Sequence, residues 1–198
     1  KLADNTIVIF SSDNGTTHLG QEVDYEFFNS VGELRGLKGS LYEGGVRVPT
    51  TVRWPGRVAE GSTSDYISGF EDWLPTLLDL AVRNDAAAAR ISVRPTWIKD
   101  LPPDIDGISI APTLLGAKQE PRDYLYREFP SYGGQQTIRV GDWKAVRQNM
   151  IHGNLDIELY NIAQDIGEQN NVAARHPELV KKLAEMMADV RTPSKKCT

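Results

Sequence analysis

Few segments leave a chain as little choice as residues 5–10 (NTIVIF), which are β-branched or aromatic from Thr6 onward and run straight into Ser11-Ser12-Asp13-Asn14-Gly15. A run of this kind, closed by turn residues, predicts a strand buried on both faces of a parallel or mixed sheet. It also sets a carboxylate and an amide at the strand's carboxyl end, where loops of open α/β sheets converge and ligands collect. Asp13 and Asn14 offer side-chain oxygens of the hard kind that suits Ca²⁺ or Mg²⁺, and Gly15 lets the backbone turn sharply past them. Asn-Gly is equally a common turn signal, so these residues taken alone fit a plain turn as well as a cation site.

Residues 35–49 read RGLKGSLYEGGVRVP, with three cations and one carboxylate set among four glycines, and lead into a second strand-like segment at 50–54. Glycine at that density permits close approach of backbone to a ligand, at an entropic cost that a passive loop has little reason to carry. Lys38 is the compact, mobile cation for an anionic oxygen group. Arg35 and Arg47 are fork-shaped donors for an anion or for a carboxylate such as Glu43. A surface hairpin with solvated charges fits the same stretch when it is read apart from the strand before it.

SSDNG followed by LKGSLYEGGVRVP resembles the second half of the sulfatase family, the type I enzymes related to arylsulfatases within the alkaline-phosphatase-like superfamily. The likeness continues through PTLLDLA (75–81), DIDGISIAPTLLG (104–116), IRVGDWKAVR (138–147) and ELYNIAQDIGEQNNVA (158–173), so it covers most of the chain. What it implies is specific. Asp13 and Asn14 would be Ca²⁺ ligands beside the sulfate, and Lys38 would contact a sulfate oxygen. Apart from the resemblance, His18, five residues after Asp13, reads first as an exposed loop histidine and second as a group that reaches a sulfate or sugar oxygen. Arg35, Glu43 and Arg47 would support the glycine loop.

Such enzymes carry a formylglycine nucleophile, made from Cys or Ser in a C/S-x-P/A-x-R motif, in their amino-terminal half, with an Asp pair for the metal. Neither is expected here: the single cysteine, Cys197, sits in Lys-Lys-Cys-Thr, with no Pro or Arg after it. The resemblance therefore implies a carboxyl-terminal portion that shares its Ca²⁺ with the missing amino-terminal half and is inactive alone. The reaction implied is hydrolysis of a sulfuric ester on a small molecule or glycan. A phosphatase-like enzyme and a degenerate, non-catalytic binding module are the alternatives.

The formal net charge of −5, without a lysine-arginine cluster, argues against nucleic acid as a partner. One cysteine excludes an intrachain disulfide framework. No stretch approaches the roughly 18 to 20 apolar residues of a membrane span, and the opening KLADNTIVIF has no signal-peptide cleavage site. The family resemblance implies a periplasmic or secreted protein, with any signal lying upstream.

The expected fold class is α/β: part of an alkaline-phosphatase-like sheet (residues 1–118), then a small α+β subdomain (119–198). In the first part, residues 1–4 look like the tail of a helix and 16–34 like a loop walling the site. A three-four apolar spacing from Phe70 to Ala81 predicts a helix, with Pro75 in its first turn or at a kink. Ala86 to Ala89 belong to an irregular insertion. In the second part, strands near 124–129, 136–140, 143–147 and 158–160 form an antiparallel sheet, and Pro177 opens a long helix that covers it. Lys144 and Arg147 read as solvated strand charges or as groups facing substrate.

Overall fold

A computed structural model describes residues 2–17, 19–21, 23–84 and 105–192 of the chain. His18, the 86–89 run and Cys197 lie outside the described residues. The chain divides into two compact units, one made of Lys1–Phe10 with Thr51–Pro121 and the other of Ser11–Thr50 with Arg122–Thr198.

The first unit holds most of a two-stranded sheet of β1 (Val8–Ser11) and β2 (Thr50–Arg53). Residues Leu2–Asn5 are a 3-10 turn, in keeping with a helical tail there. Among the described residues β1 pairs with β2 alone, and Val8 is 49% and Phe10 71% exposed, so the described residues do not supply the cover that the apolar run predicts for its faces. Helix α3 (Trp73–Asn84) follows a 3-10 turn at Phe70–Asp72, which puts Pro75 in the first turn, where its missing N–H leaves no bond unmade. Leu80 packs with Trp54 and Ala111 in a small core, so Trp54 is a packing residue. The buried Asp72 carboxylate accepts the N–H groups of Gly69 and Ile108 at 2.8 and 2.9 Å and ties α3 to the GISI segment before α4 (Ala111–Leu114).

The second unit is built on β3 (Leu125–Phe129), β4 (Gln135–Val140), β5 (Trp143–Arg147) and β6 (Ile157–Asn161), antiparallel in the order β3-β4-β5-β6. Alternation along each strand makes two faces. Ile138, Ala145, Ile157 and Leu159 meet Leu183 and Met187 of α5 (Pro177–Asp189), whose Pro177 opens the helix. The opposite face carries Gln135, Thr137, Arg139, Lys144, Val146, Glu158 and Tyr160, most of them polar. It is covered by chain from the Ser11–Thr50 stretch, which includes the helical turns α1 (Tyr25–Phe28) and α2 (Glu43–Val46). Among the described residues no helix is long and apolar enough to cross a membrane.

Candidate functional site

The SSDNG turn and the glycine loop are interlocked through their backbones. Gly15 N–H donates to Gly45 O at 2.9 Å and Lys38 N–H to Thr16 O at 2.8 Å. A Cβ on Gly15 would lie 1.8 Å from Gly44 O, and one on Gly44 would lie 2.1 Å from Gly36 O, so only glycine allows these strands of loop to touch. The Ser12 hydroxyl donates to Asn14 O and tightens the turn.

This interlock puts Asp13, Asn14 and Lys38 on one continuous piece of structure. Asp13 and Lys38 are exposed and Asn14 is half-buried. None of the three side chains makes a hydrogen bond or ion pair among the described residues. Two hard oxygen donors and one ammonium are therefore available to a ligand. The donor chemistry fits a cation such as Ca²⁺, but two ligands fall short of the six to eight it takes, and the described residues contain no cluster of three or more metal-binding side chains.

Beneath the loop lies a buried ionic layer. Lys144 Nζ, with its side chain 2% exposed, sits 2.8 Å from Glu43 Oε1 and 2.9 Å from Glu168 Oε1. Glu43 Oε2 also accepts Arg47 Nε at 2.6 Å, and an Arg139 guanidinium nitrogen stands 3.6 Å away. The other oxygen of Glu168 accepts the backbone N–H of Glu43 at 2.6 Å. Burial alone would push the Glu43 carboxyl up, but Lys144 and Arg47 outweigh it and hold the group below the ordinary carboxylate range. For Glu168 burial prevails over Lys144 and the Glu43 N–H, and the carboxyl is pushed up. Burial likewise lowers Arg139.

A second cluster anchors the start of the loop. The Arg35 guanidinium lies 3.9 Å above the Tyr42 ring and donates to Tyr160 Oη at 2.8 Å and to Glu168 O at 3.0 Å. Tyr42 and Tyr160 both donate to Glu158 Oε2, at 2.5 and 2.7 Å. Burial, then the bond to Glu158, pushes both phenols well above their ordinary range, so they remain donors. At the loop's middle, the buried Gln135 amide donates to Gly39 O at 2.8 Å and accepts Leu41 N–H at 3.1 Å.

Arg35, Glu43 and Arg47 thus meet in one polar network under the loop that carries Lys38. Lys144 is neither solvated nor open to a ligand, because the face of the sheet it projects from is covered by the Glu43 segment. Arg147 is engaged with Gln136 Oε1 at 2.9 Å and with Leu155 O at 3.2 Å. Asp24 caps the turn at Tyr25–Phe28, accepting Phe27 N–H at 2.9 Å, and Phe27 and Phe28 are exposed. Glu168 and Gln135 had no signal of their own in the sequence: Glu168 bonds the Glu43 N–H 125 residues away, and Gln135 bonds Gly39 and Leu41, 96 and 94 residues away.

A family model described as Sulfatase matches residues 1–82. The chain is 31% identical to an N-acetylgalactosamine-6-O-sulfatase of Bacteroides thetaiotaomicron, across 97% of this chain and 37% of that protein. It is 31% identical to human arylsulfatase A, across 93% of this chain and 38% of that one. A solved Bacteroides thetaiotaomicron structure, described in a study of the metabolism of multiple glycosaminoglycans, superposes with a TM-score of 0.73 at 31% identity, across 96% of this chain and 39% of that one. The chain therefore spans less than two-fifths of the length of the proteins it matches.

Proposed function

The chain belongs to the sulfatase family, and on that premise we propose that it supplies one side of a sulfuric-ester hydrolase site, with Lys38 contacting a sulfate oxygen and Asp13 and Asn14 holding part of a Ca²⁺ shell. Residues 1–118 are assigned to the catalytic α/β domain of the alkaline-phosphatase-like fold, and residues 119–198 to its antiparallel subdomain. The observation that carries this reading is the backbone interlock of the two motifs, which presents two hard oxygen donors and an ammonium together with none of them committed elsewhere among the described residues.

Lys38, flanked by glycines at 36 and 39, can bring a point charge close to a tetrahedral anion. Its value rises as negative charge shifts onto the non-bridging and leaving oxygens, so it stabilises the transition state more than the bound ester. Asp13 and Asn14 would orient the cation, whose chemistry when bound is to neutralise sulfate oxygens. Glu43, locked by Lys144 and Arg47, keeps the loop in place without taking part in proton transfer. The nucleophile, a formylglycine by family resemblance, is assigned to the rest of the protein, and the 198 residues alone are inactive in this reading. The names of the relatives support a sulfated glycan or aryl ester as substrate, and a secreted or periplasmic setting is what the family resemblance implies.

The test is calorimetric titration of Ca²⁺ into the full-length protein and its Asp13→Ala variant, with turnover of a panel of sulfate esters in parallel. Loss of one charged ligand should weaken Ca²⁺ affinity by about two orders of magnitude. Unchanged affinity would overturn the metal assignment, and a full-length protein that hydrolyses no sulfate ester would overturn the activity.

A further inference from the structure

Resting on the sulfatase reading above, we propose that Tyr132 is a specificity-determining wall beside Lys38, against which the flat apolar face of a six-membered ring in the ester's alcohol, aryl or pyranose, packs. The loop between β3 and β4 runs with left-handed backbone at Tyr132 (φ 53°), Gly133 (φ 87°) and Gly134 (φ 75°). A bulky L residue adopts that conformation rarely, and keeps it only where its surroundings dictate it. Here they do. Gly134 N–H donates to Ser131 O, and the N–H groups of Met150 and Ile151 donate to the carbonyls of Gly134 and Gly133 at 3.1 and 2.9 Å.

The consequence is a ring laid over the lysine loop. A Cβ built on Gly39 would fall 2.9 Å from Tyr132 Cε2, so the glycine that follows Lys38 is the floor on which the ring rests. Adjacent Cα atoms are about 3.8 Å apart, so the ring stands within a sugar's width of the backbone that carries the ammonium. Gln135, three residues on, bonds Gly39 O and Leu41 N–H and fixes this contact from below. Phe129 supports the ring at 5.9 Å between centroids, with 32° between planes. Yet Tyr132 remains 61% exposed. A turn of this shape is better served by Gly or Asn, so shape alone gives no reason for a large aromatic here. An aromatic ring seated on the glycine next to Lys38, whose ammonium is uncommitted among the described residues, does give one: the cation takes the sulfate, and the ring takes what the sulfate is attached to.

The experiment uses full-length protein and the variants Tyr132→Asn and Tyr132→Gly, both compatible with positive φ, and Tyr132→Phe, which keeps the face. KM is measured for 4-nitrophenyl sulfate and for 6-O-sulfated N-acetylhexosamines, and the inhibition constant for inorganic sulfate reports the anion site alone. The truncations should raise KM about tenfold for the ring-bearing ester that the wild type uses, leave sulfate inhibition within about twofold, and leave Tyr132→Phe within about threefold of wild type. The ester class that suffers identifies the ring. Equal weakening of ester and inorganic sulfate, or unchanged KM in a folded truncation, would overturn the proposal and leave Tyr132 as a support for Gly39. A wild type that hydrolyses none of these esters would bring down the sulfatase reading and this inference with it.

Discussion

Lys144 is the residue on which the glycine loop hangs, since it pairs Glu43 of the loop with Glu168 of the carboxyl-terminal segment at 2.8 and 2.9 Å. Removing one member of a buried ionic set leaves the others uncompensated, which costs about 3 kcal/mol or more. Lys144→Met should therefore loosen the loop, and hydrogen exchange at the amides of Lys38, Gly44 and Gly45 should accelerate about 100-fold. Exchange rates within about threefold of wild type would show that the loop stands without the lysine. From the sequence alone Lys144 read as a solvated or substrate-facing strand charge. Strand alternation assigns such a residue to the polar face correctly, but it cannot say that this face is roofed by a segment 101 residues earlier. The pairing of Glu43 with Arg47, only four residues apart, was legible because it is local.

At the scale of elements, α5 is clamped back onto β3 by Arg191, which donates to both oxygens of Glu128 at 2.8 and 3.0 Å. Those bonds hold the Glu128 carboxyl at about 2, and Glu43 is held low by its own cations. Both groups bind protons more readily in the unfolded chain, so their stabilisation is present above the ordinary carboxylate pKa and is lost as pH falls from about 4.5 toward about 2. Glu168 runs the other way, and its contribution fades as pH rises through its raised value. Followed by circular dichroism, urea midpoints of wild type and Glu128→Gln should differ at pH 6 and converge as pH approaches 2. A gap that persists unchanged at low pH would assign the effect of Glu128 to packing. The four strands and α5 were readable because alternation and three-four spacing are local signals. For β1 the apolar run states what the strand requires on its faces, and β2 is the one neighbour that the described residues supply.

For the molecule as a whole, the assignment of a sulfatase half-site joins two motifs that the sequence separates by some twenty residues and the fold interlocks through Gly15 and Gly45. The motifs themselves were visible in the sequence, whereas the glycine-on-glycine contact between them was not, since any Cβ there would collide with backbone. If that platform carries the chemistry, Lys38 is the group whose loss is felt most as charge develops. Steady-state turnover of a chromogenic sulfate ester by the full-length protein and its Lys38→Ala variant, with Ca²⁺ occupancy and folding checked alongside, measures this directly. The expected result is a fall in kcat/KM of about two to three orders of magnitude, most of it in kcat, with poor rescue by Lys38→Arg because a planar fork does not replace a mobile point charge. A folded, metal-loaded Lys38→Ala enzyme that turns over within about twofold of wild type would remove the lysine from the sulfate site and reduce the glycine loop to scaffolding.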